Sequence, residues 1–475
     1  VLVVAERLLG TRAYAPSDAA ALVLLAAASW QILPRTAADS PRLLGPMTLL
    51  FLIVLTGALV RLHGVDFGLP HLYDPDEDWF VATAREMLVD REPNPRWFGH
   101  PGTTVIYFLA ALYGAGHWIG RRFGAVPEDL RAFFNHYQSE IYLGGRLLSV
   151  ACAVATILLV YAVAARLFRS RPIGLLAAAL IAVSPLHVMY SRVIRTDIQA
   201  TLLVLAVFWF LIDVVERGRW RSVCLAGLAT GIAIATKYPA ALIGCTALVA
   251  MGFAPGSLRR RLALGAGYLG AAVAGLFIAS PYLFLDFQTA FEDLTIEAPS
   301  WVLSHAGAGF LADLGWYLGY PCALALSAGG ILLAAGGAVL CLRERSPSRW
   351  LLLSFPPVFL PFLAALPLRV RHWILPLVPF LCMLAAYALY EGLRYVRRRA
   401  ALELEVWPVF MVMAVTLPLA KADVLFNRQL ELPDTRTLAA DWILAHIPPG
   451  RTLVVEAWAP QLPADRYHFL LVDRN

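Results

Sequence analysis

The stretch His71-Leu72-Tyr73-Asp74-Pro75-Asp76-Glu77-Asp78-Trp79 stands just beyond the apolar run Leu43–Leu62. Four carboxylates occupy five consecutive positions of a chain that is only 15% charged. Beside a bilayer such a density of acid is costly unless the groups bind something or do chemistry. Acids also complement the dipole of a following helix, which the pattern predicts over Glu77–Leu88. That accounts for one or two of the four. The stretch therefore marks a polar, working edge on an otherwise apolar scaffold.

The scaffold is read from composition. Of 475 residues 59% are hydrophobic, and the mean hydropathy is +0.66. Soluble domains carry about 25% charged residues, so the fold class expected is an all-α polytopic membrane protein. The apolar segments have helical length and lack the alternation of an outer-membrane barrel. The net charge of +6 is read as the uneven loop charge that orients membrane spans, not as a nucleic-acid signal. The six cysteines lie in apolar runs without metal-ligand spacing and are read as packing residues.

Outward from the acidic stretch, Leu43–Leu62 is a first span, and residues 1–42 hold one further short apolar run, Ala19–Leu33, left open as span or interfacial helix. Nothing at the N-terminus resembles a cleaved signal peptide. The start at Val1 and the stop at Asn475 after a strand-like run leave either end open to truncation. Beyond the acids comes Glu92-Pro93-Asn94-Pro95-Arg96-Trp97-Phe98-Gly99-His100-Pro101, too rich in proline for continuous helix. Gly102–Ile119 follows, apolar and uncharged. Ten more runs are Arg146–Ala165, Ile173–Tyr190, Ile198–Val215, Ser222–Thr236, Pro239–Phe253, Leu262–Leu283, Ala323–Leu342, Trp350–Leu366, Ile374–Tyr390 and Val406–Ala420.

Charge decides the parity. Arginines cluster in the loops near Arg166, Arg217, Arg259, Arg343 and Arg394. If Gly102–Ile119 does not fully cross, all of these share a side with Arg35 and Arg42, as the positive-inside rule prefers. Residues 63–145 then form one long outer loop with juxtamembrane helices, and 11–12 spans are expected, with a transmembrane domain over 43–420 and an outer αβ tail over 421–475. In the tail Asp434–Ile447 reads as a helix and Thr452–Val455 as a strand. The acidic stretch, Arg146, the Arg192–Asp197 loop, Lys237, the Asp286–Asp313 loop and Arg371 all fall on the outer side.

Several of these residues have ordinary readings beside functional ones. Thr196-Asp197 is a good helix cap. Lys237 is one of only two lysines among 39 basic residues, and it either snorkels to the interface or fixes an anionic lipid head group. Arg371 runs against the outer-face charge bias and suggests an anion partner. Outer acids with outer cations suggest one reaction, in which a carboxylate takes a proton from an acceptor hydroxyl and cations stabilise a departing phosphate.

In this order the motifs are familiar: Asp76-Glu77, His100-Pro101, Gly145-Arg146-Leu147-Leu148-Ser149, Ser184-Pro185 before Thr196-Asp197, Thr236-Lys237-Tyr238, Ser280-Pro281-Tyr282 and the Arg371–Pro379 run. The chain resembles the C-type membrane glycosyltransferases, in particular the group of protein O-mannosyltransferases and the aminoarabinose transferase of lipid A. The resemblance implies a bundle in a bacterial inner membrane with its catalytic loops on the periplasmic face. It implies a polyprenyl-phosphate-linked sugar donor, a protein, glycolipid or glycan acceptor, and inverting displacement. By the same resemblance Asp76, with Glu77 beside it, is the catalytic carboxylate and Asp197 a second acidic site residue. Lys237 and His100 contact the donor phosphate, with Arg371 and Arg146 beside them. Asp74, Asp78 and, more weakly, His305 are left to acceptor-side or secondary roles. Two alternatives stay open: a transporter or lipid-linked sugar flippase, and a metal-dependent transferase in which Asp76 and Asp197 hold Mg or Mn.

Overall fold

The computed structural model of the protein describes residues 45–99, 102–297, 307–399, 407–456 and 459–472. Each of the eleven apolar runs is built mainly of helix over its described residues. The first is α1 (Pro46–Leu62), begun at a proline whose missing N–H costs a helix nothing in its first turn. The outer loop then folds as α2 (Pro75–Asp90), α3 (Thr103–Arg122) and α4 (Leu130–His136). These have an apolar core of their own, in which Phe80, Val81, Val105, Leu109, Tyr113, Phe134 and Ile194 are buried together. The acids are thus presented by a packed unit, not by a free loop.

The helix α3 has the amphipathic pattern of an interfacial element. Val105, Ile106, Leu109 and Tyr113 are buried, whereas Phe108, Leu112, Trp118 and Ile119 are exposed. Among the described residues it is not one of the six helical segments long and apolar enough to cross a membrane.

The bundle continues with α5 (Gln138–Leu167), α6 (Arg171–Ala182), α7 (Pro185–Tyr190), α8 (Asp197–Arg217), α9 (Trp220–Thr236), α10 (Ile243–Phe253) and α11 (Leu258–Ala279). Proline divides several runs. Pro185 separates α6 from α7, and Pro239 lies in a 3₁₀ turn, Tyr238–Leu242, before α10. Every residue from Ile173 to Ala182 is buried, which makes α6 the centre of the bundle. α9 and α11 cross at glycines: a Cβ on Gly231 would sit 2.1 Å from the Ala272 carbonyl oxygen. That close crossing fixes the end of α9 that carries Lys237.

Short helices α12 (Tyr282–Leu285), α13 (Phe287–Glu292) and α14 (Phe310–Gly319) precede α15 (Pro321–Glu344), α16 (Pro347–Ser354) and α17 (Pro356–Ala365). A 3₁₀ turn, Arg371–Leu377, opens into α18 (Val378–Arg399), and α19 (Trp407–Glu431) follows. The composition change at Lys421 is not a structural boundary, because α19 runs through it to Glu431. The tail holds α20 (Thr435–His446), capped by Asp434, and two short parallel strands, β1 (Thr452–Val455) and β2 (His468–Leu471).

The two ends of the bundle differ in charge. α8 begins at Asp197 among the functional candidates and ends at Arg217, which pairs with Asp213. At that second end Arg166 pairs with Asp213 and Glu216, Arg349 donates to the Leu167 carbonyl, and Arg260 donates to the Gly218 carbonyl. The 21 residues of α8 separate the ends by about 30 Å, the thickness of a bilayer's hydrocarbon core. The chain is an integral membrane protein with its arginine loops at one end and the acidic stretch of α2 at the other.

Candidate active site

The site is built on the first turn of α2. Asp74 is the N-cap and accepts a hydrogen bond from the Asp76 N–H at 3.0 Å. Pro75 follows in the first helical position, where it is tolerated. The next three acids then point in different directions and have different fates. Asp78 accepts from the Tyr142 hydroxyl at 2.7 Å and ties α2 to α5. Glu77 is fully buried and bound bidentately by Arg146, at 2.9 Å from Nε and 2.7 Å from Nη2. The Ile194 N–H also donates to it at 2.9 Å. Burial pushes the Glu77 carboxyl above the usual carboxylate range, while Arg146 and the Ile194 N–H pull against that shift. Asp76 keeps 37% of its side chain exposed, and Asp78 is exposed as well, but of these two only Asp76 faces the cations of the following loop.

Arg146 is committed as completely as Glu77. Its Nη1 donates to the carbonyls of Val65 (3.0 Å) and Phe67 (2.8 Å), and its guanidinium lies 4.2 Å over the Phe67 ring. The pair therefore locks α2, α5, the segment after α1 and the loop before α8 into one frame. Gly145 permits the approach, since a Cβ there would meet Ile194 Cδ1 at 2.5 Å.

Facing Asp76 is the loop between α7 and α8. Arg195 Nη1 is 2.5 Å from Asp76 Oδ2, and its Nη2 is 3.1 Å from Asp74 Oδ1. Burial opposes the charge of Arg195, but Asp74, Asp76 and Asp197 more than offset it and raise its pKa. Arg195 Nη1 also lies 3.4 Å from His372 Nε2, which is 3.8 Å from Asp197 Oδ2. The other Asp197 oxygen is bonded to Lys237 Nζ. Asp76, Arg195, His372, Asp197 and Lys237 thus form one unbroken polar chain. Arg371 joins from the side by donating from Nε to the Tyr190 hydroxyl at 2.8 Å, and the Tyr190 ring lies tilted against His372 with ring centroids 4.7 Å apart.

The proline-rich linker roofs this end. Asn94 donates to Asp286 at 2.8 Å, the Phe98 N–H donates to Asp293 at 2.5 Å, and the Tyr238 hydroxyl donates to the Phe98 carbonyl at 2.7 Å. Hydrogen bonds from Asn94 and Thr289 hold the Asp286 carboxyl below its ordinary range. At the start of α3, Gly102 is required by close approach, because a Cβ would fall 2.4 Å from Phe80 Cε1 and 3.2 Å from Thr196 Cγ2.

The outcome for each expected site residue is specific. Asp76, Asp197, Lys237 and Arg371 come together. The expected cap is absent: Thr196 makes no side-chain capping bond, and the Asp197 carboxylate turns to Lys237. Arg146 does not face a phosphate, because it is fully buried and held by Glu77 and two carbonyls. Glu77 is equally enclosed and does not open to a substrate. Asp74 and Asp78 hold Arg195 and Tyr142. His100 and His305 lie outside the described residues. Arg195, His372 and Tyr190 were missing from the expected set. The outer-face argument that singled out Arg371 applies equally to Arg195.

A divalent cation does not fit the pair named for it. One Asp76 oxygen is taken by Arg195 and one Asp197 oxygen by Lys237, so side-chain cations already stand where a metal would bind. Among the described residues no group of three or more His, Cys, Asp or Glu is placed to hold a metal ion.

Known proteins share this architecture. ArnT from Cupriavidus metallidurans, solved bound to undecaprenyl phosphate, matches with a TM-score of 0.56 over 90% of this chain and 86% of that one, at 15% identity. The Archaeoglobus fulgidus oligosaccharyltransferase, solved with Zn and sulfate, matches with a TM-score of 0.52 over 83% of this chain, at 13% identity. The chain has the C-type glycosyltransferase fold. It spans only 55% of that oligosaccharyltransferase. The archaeal oligosaccharyltransferase AglB from the same organism, in complex with an inhibitory peptide and a dolichol-phosphate, matches with a TM-score of 0.52 over 84% of this chain and 58% of that one, at 15% identity. Residues 136–284 match the family described as dolichyl-phosphate-mannose-protein mannosyltransferase. That segment contains Arg146, Arg195, Asp197 and Lys237, while Asp76 and Arg371 lie outside it. No curated protein sequence matches the chain. Within the C-type fold, the polar chain sits at the end of the bundle opposite the arginine loops.

Proposed function

We propose that the protein is a membrane glycosyltransferase that moves a sugar from a polyprenyl-phosphate donor to an acceptor hydroxyl. The observation that carries this is the polar chain from Asp76 to Lys237, with one half-exposed carboxylate at its open end and cations spaced along it. Asp76 takes the proton of the acceptor hydroxyl as its oxygen bonds to the anomeric carbon. The bond from that carbon to the phosphate oxygen breaks, and the electron pair leaves with the polyprenyl phosphate. Lys237 and Arg371 stabilise the charge on that phosphate, so no proton donor to the leaving group is needed. A single displacement inverts the anomeric configuration. The positive-inside rule puts the arginine loops in the cytoplasm and the site on the periplasmic face. Nucleotide sugars are absent there, which favours a lipid-linked donor. Glu77 and Arg146 act as positioning residues for α2.

Three measurements test this. Native mass spectrometry of the purified protein is expected to reveal a co-purifying polyprenyl phosphate or its glycoside; a protein free of such lipid after mild extraction would argue against the donor class. Lys237→Gln is expected to raise the donor KM about 10- to 100-fold, the worth of one charge-assisted contact; an unchanged KM would remove Lys237 from the donor site. Transfer is expected to persist in excess EDTA, since the carboxylates are paired with side-chain cations; loss of activity that Mg or Mn restores would reverse that expectation.

A further inference from the structure

We infer that Arg195 is shared between the Asp76 carboxylate and the donor phosphate, so that donor binding releases the base for the acceptor. This rests on the glycosyltransferase reading of the same site. The Arg195 guanidinium is held by Asp76 at 2.5 Å and by Asp74 at 3.1 and 3.4 Å. An Asp76 oxygen directed at Arg195 is not directed at an acceptor hydroxyl. The base therefore starts the cycle engaged, and something must draw Arg195 away.

The surroundings of Arg195 supply both the reason and the route. Its Nε is buried without a hydrogen-bond partner, and a buried donor of this kind marks a missing acceptor. Its Nη1 already reaches His372 at 3.4 Å, the neighbour of Arg371 and a contact of Asp197, which holds Lys237. Its guanidinium carbon lies 5.7 Å from the centroid of the Tyr190 ring, and that of Arg371 lies 5.8 Å from the same centroid. Tyr190 is thus a shared face for the two guanidinium groups. A phosphate placed among Lys237, Arg371 and His372 draws Arg195 along that face and away from Asp76. A guanidinium suits this exchange because its planar fork pairs with carboxylate and phosphate alike. No covalent bond changes in this step; one ion pair replaces another.

The test is a binding cycle, separate from any assay of transfer. Farnesyl phosphate binding is measured in detergent for the wild type, Asp76→Asn, Arg195→Gln and the double variant. Arg195→Gln is expected to bind roughly tenfold more weakly than the wild type. Asp76→Asn is expected to bind roughly tenfold more tightly, because it no longer competes for Arg195, a coupling of ordinary size for linked sites. Removing Asp76 also relieves simple charge repulsion, so the deciding comparison is made in the Arg195→Gln background. A gain from Asp76→Asn that shrinks there supports the exchange. An equal or larger gain there overturns it, since repulsion alone then suffices. Arg195→Lys keeps the cation without the fork and is expected to fall between wild type and Arg195→Gln, which separates loss of contact from loss of folding. If no variant binds farnesyl phosphate, the donor reading itself fails; if Asp76→Asn still transfers sugar, the base assignment fails while the binding cycle remains readable.

Discussion

Asp76→Asn is expected to lower sugar transfer about 10²- to 10⁴-fold, the usual contribution of a positioned general base. The amide keeps the size and much of the hydrogen bonding of the carboxylate but cannot take a proton. The side chain is 37% exposed, so the change leaves no buried group unpaired and the fold is expected to survive. The neighbouring acids make the contrast sharp. Asp74 caps α2 and Asp78 accepts from Tyr142, so their amide variants retain those contacts in part. Asp74→Asn and Asp78→Asn are therefore expected to lose far less than Asp76→Asn. Initial rates for the three variants with one donor and acceptor pair give the comparison, and equal losses would contradict a special role for Asp76.

Arg146→Ala is expected to be the most destabilising single change at this end of the bundle, by about 3–5 kcal/mol. It strands Glu77 in a fully buried position with the Ile194 N–H as its remaining partner. It also removes the donors to the Val65 and Phe67 carbonyls, so the frame around α2 loosens. Thermal unfolding in detergent should register the loss, and transfer should fall with it as Asp76 drifts. Replacing both partners, Glu77→Gln with Arg146→Met, is expected to be less damaging than Arg146→Ala alone, because no unpaired charge is left buried. If Arg146 bound donor phosphate instead, Arg146→Ala would weaken donor binding without lowering the unfolding temperature.

Much of this was legible in the residues. Hydropathy marks the eleven runs, and loop charge separates the two ends of the bundle. It also predicts that α3 lies along the interface, and the exposed Phe108, Leu112 and Trp118 fit that placement. The gathering of Asp76, Asp197, Lys237 and Arg371 follows from the same parity. What could not be read was which charges pair. Glu77 and Arg146 are 69 positions apart, and nothing local distinguishes Glu77 from Asp76; the turn of α2 sends one acid inward and leaves the other open. Arg146 looked like an anion ligand because it opens a span, and only the packing of the outer loop supplies its partner. Arg195 lies in a loop with no local signal to set it apart from Arg192, and only the fold places it at the centre of the polar chain. The tail boundary failed for a simpler reason: polarity rises at Lys421, but the helix continues as it leaves the bilayer.

The central claim is that this chain transfers sugar from a lipid phosphate with Asp76 as base. It is tested most directly by reconstituting the protein in liposomes with polyprenyl-phosphate sugars and measuring release of free polyprenyl phosphate when acceptor is added. The expected result is acceptor-dependent release by the wild type, with Asp76→Asn binding donor and releasing none above background. Release by Asp76→Asn at the wild-type rate, or no release by the wild type with any lipid-linked sugar, would contradict it.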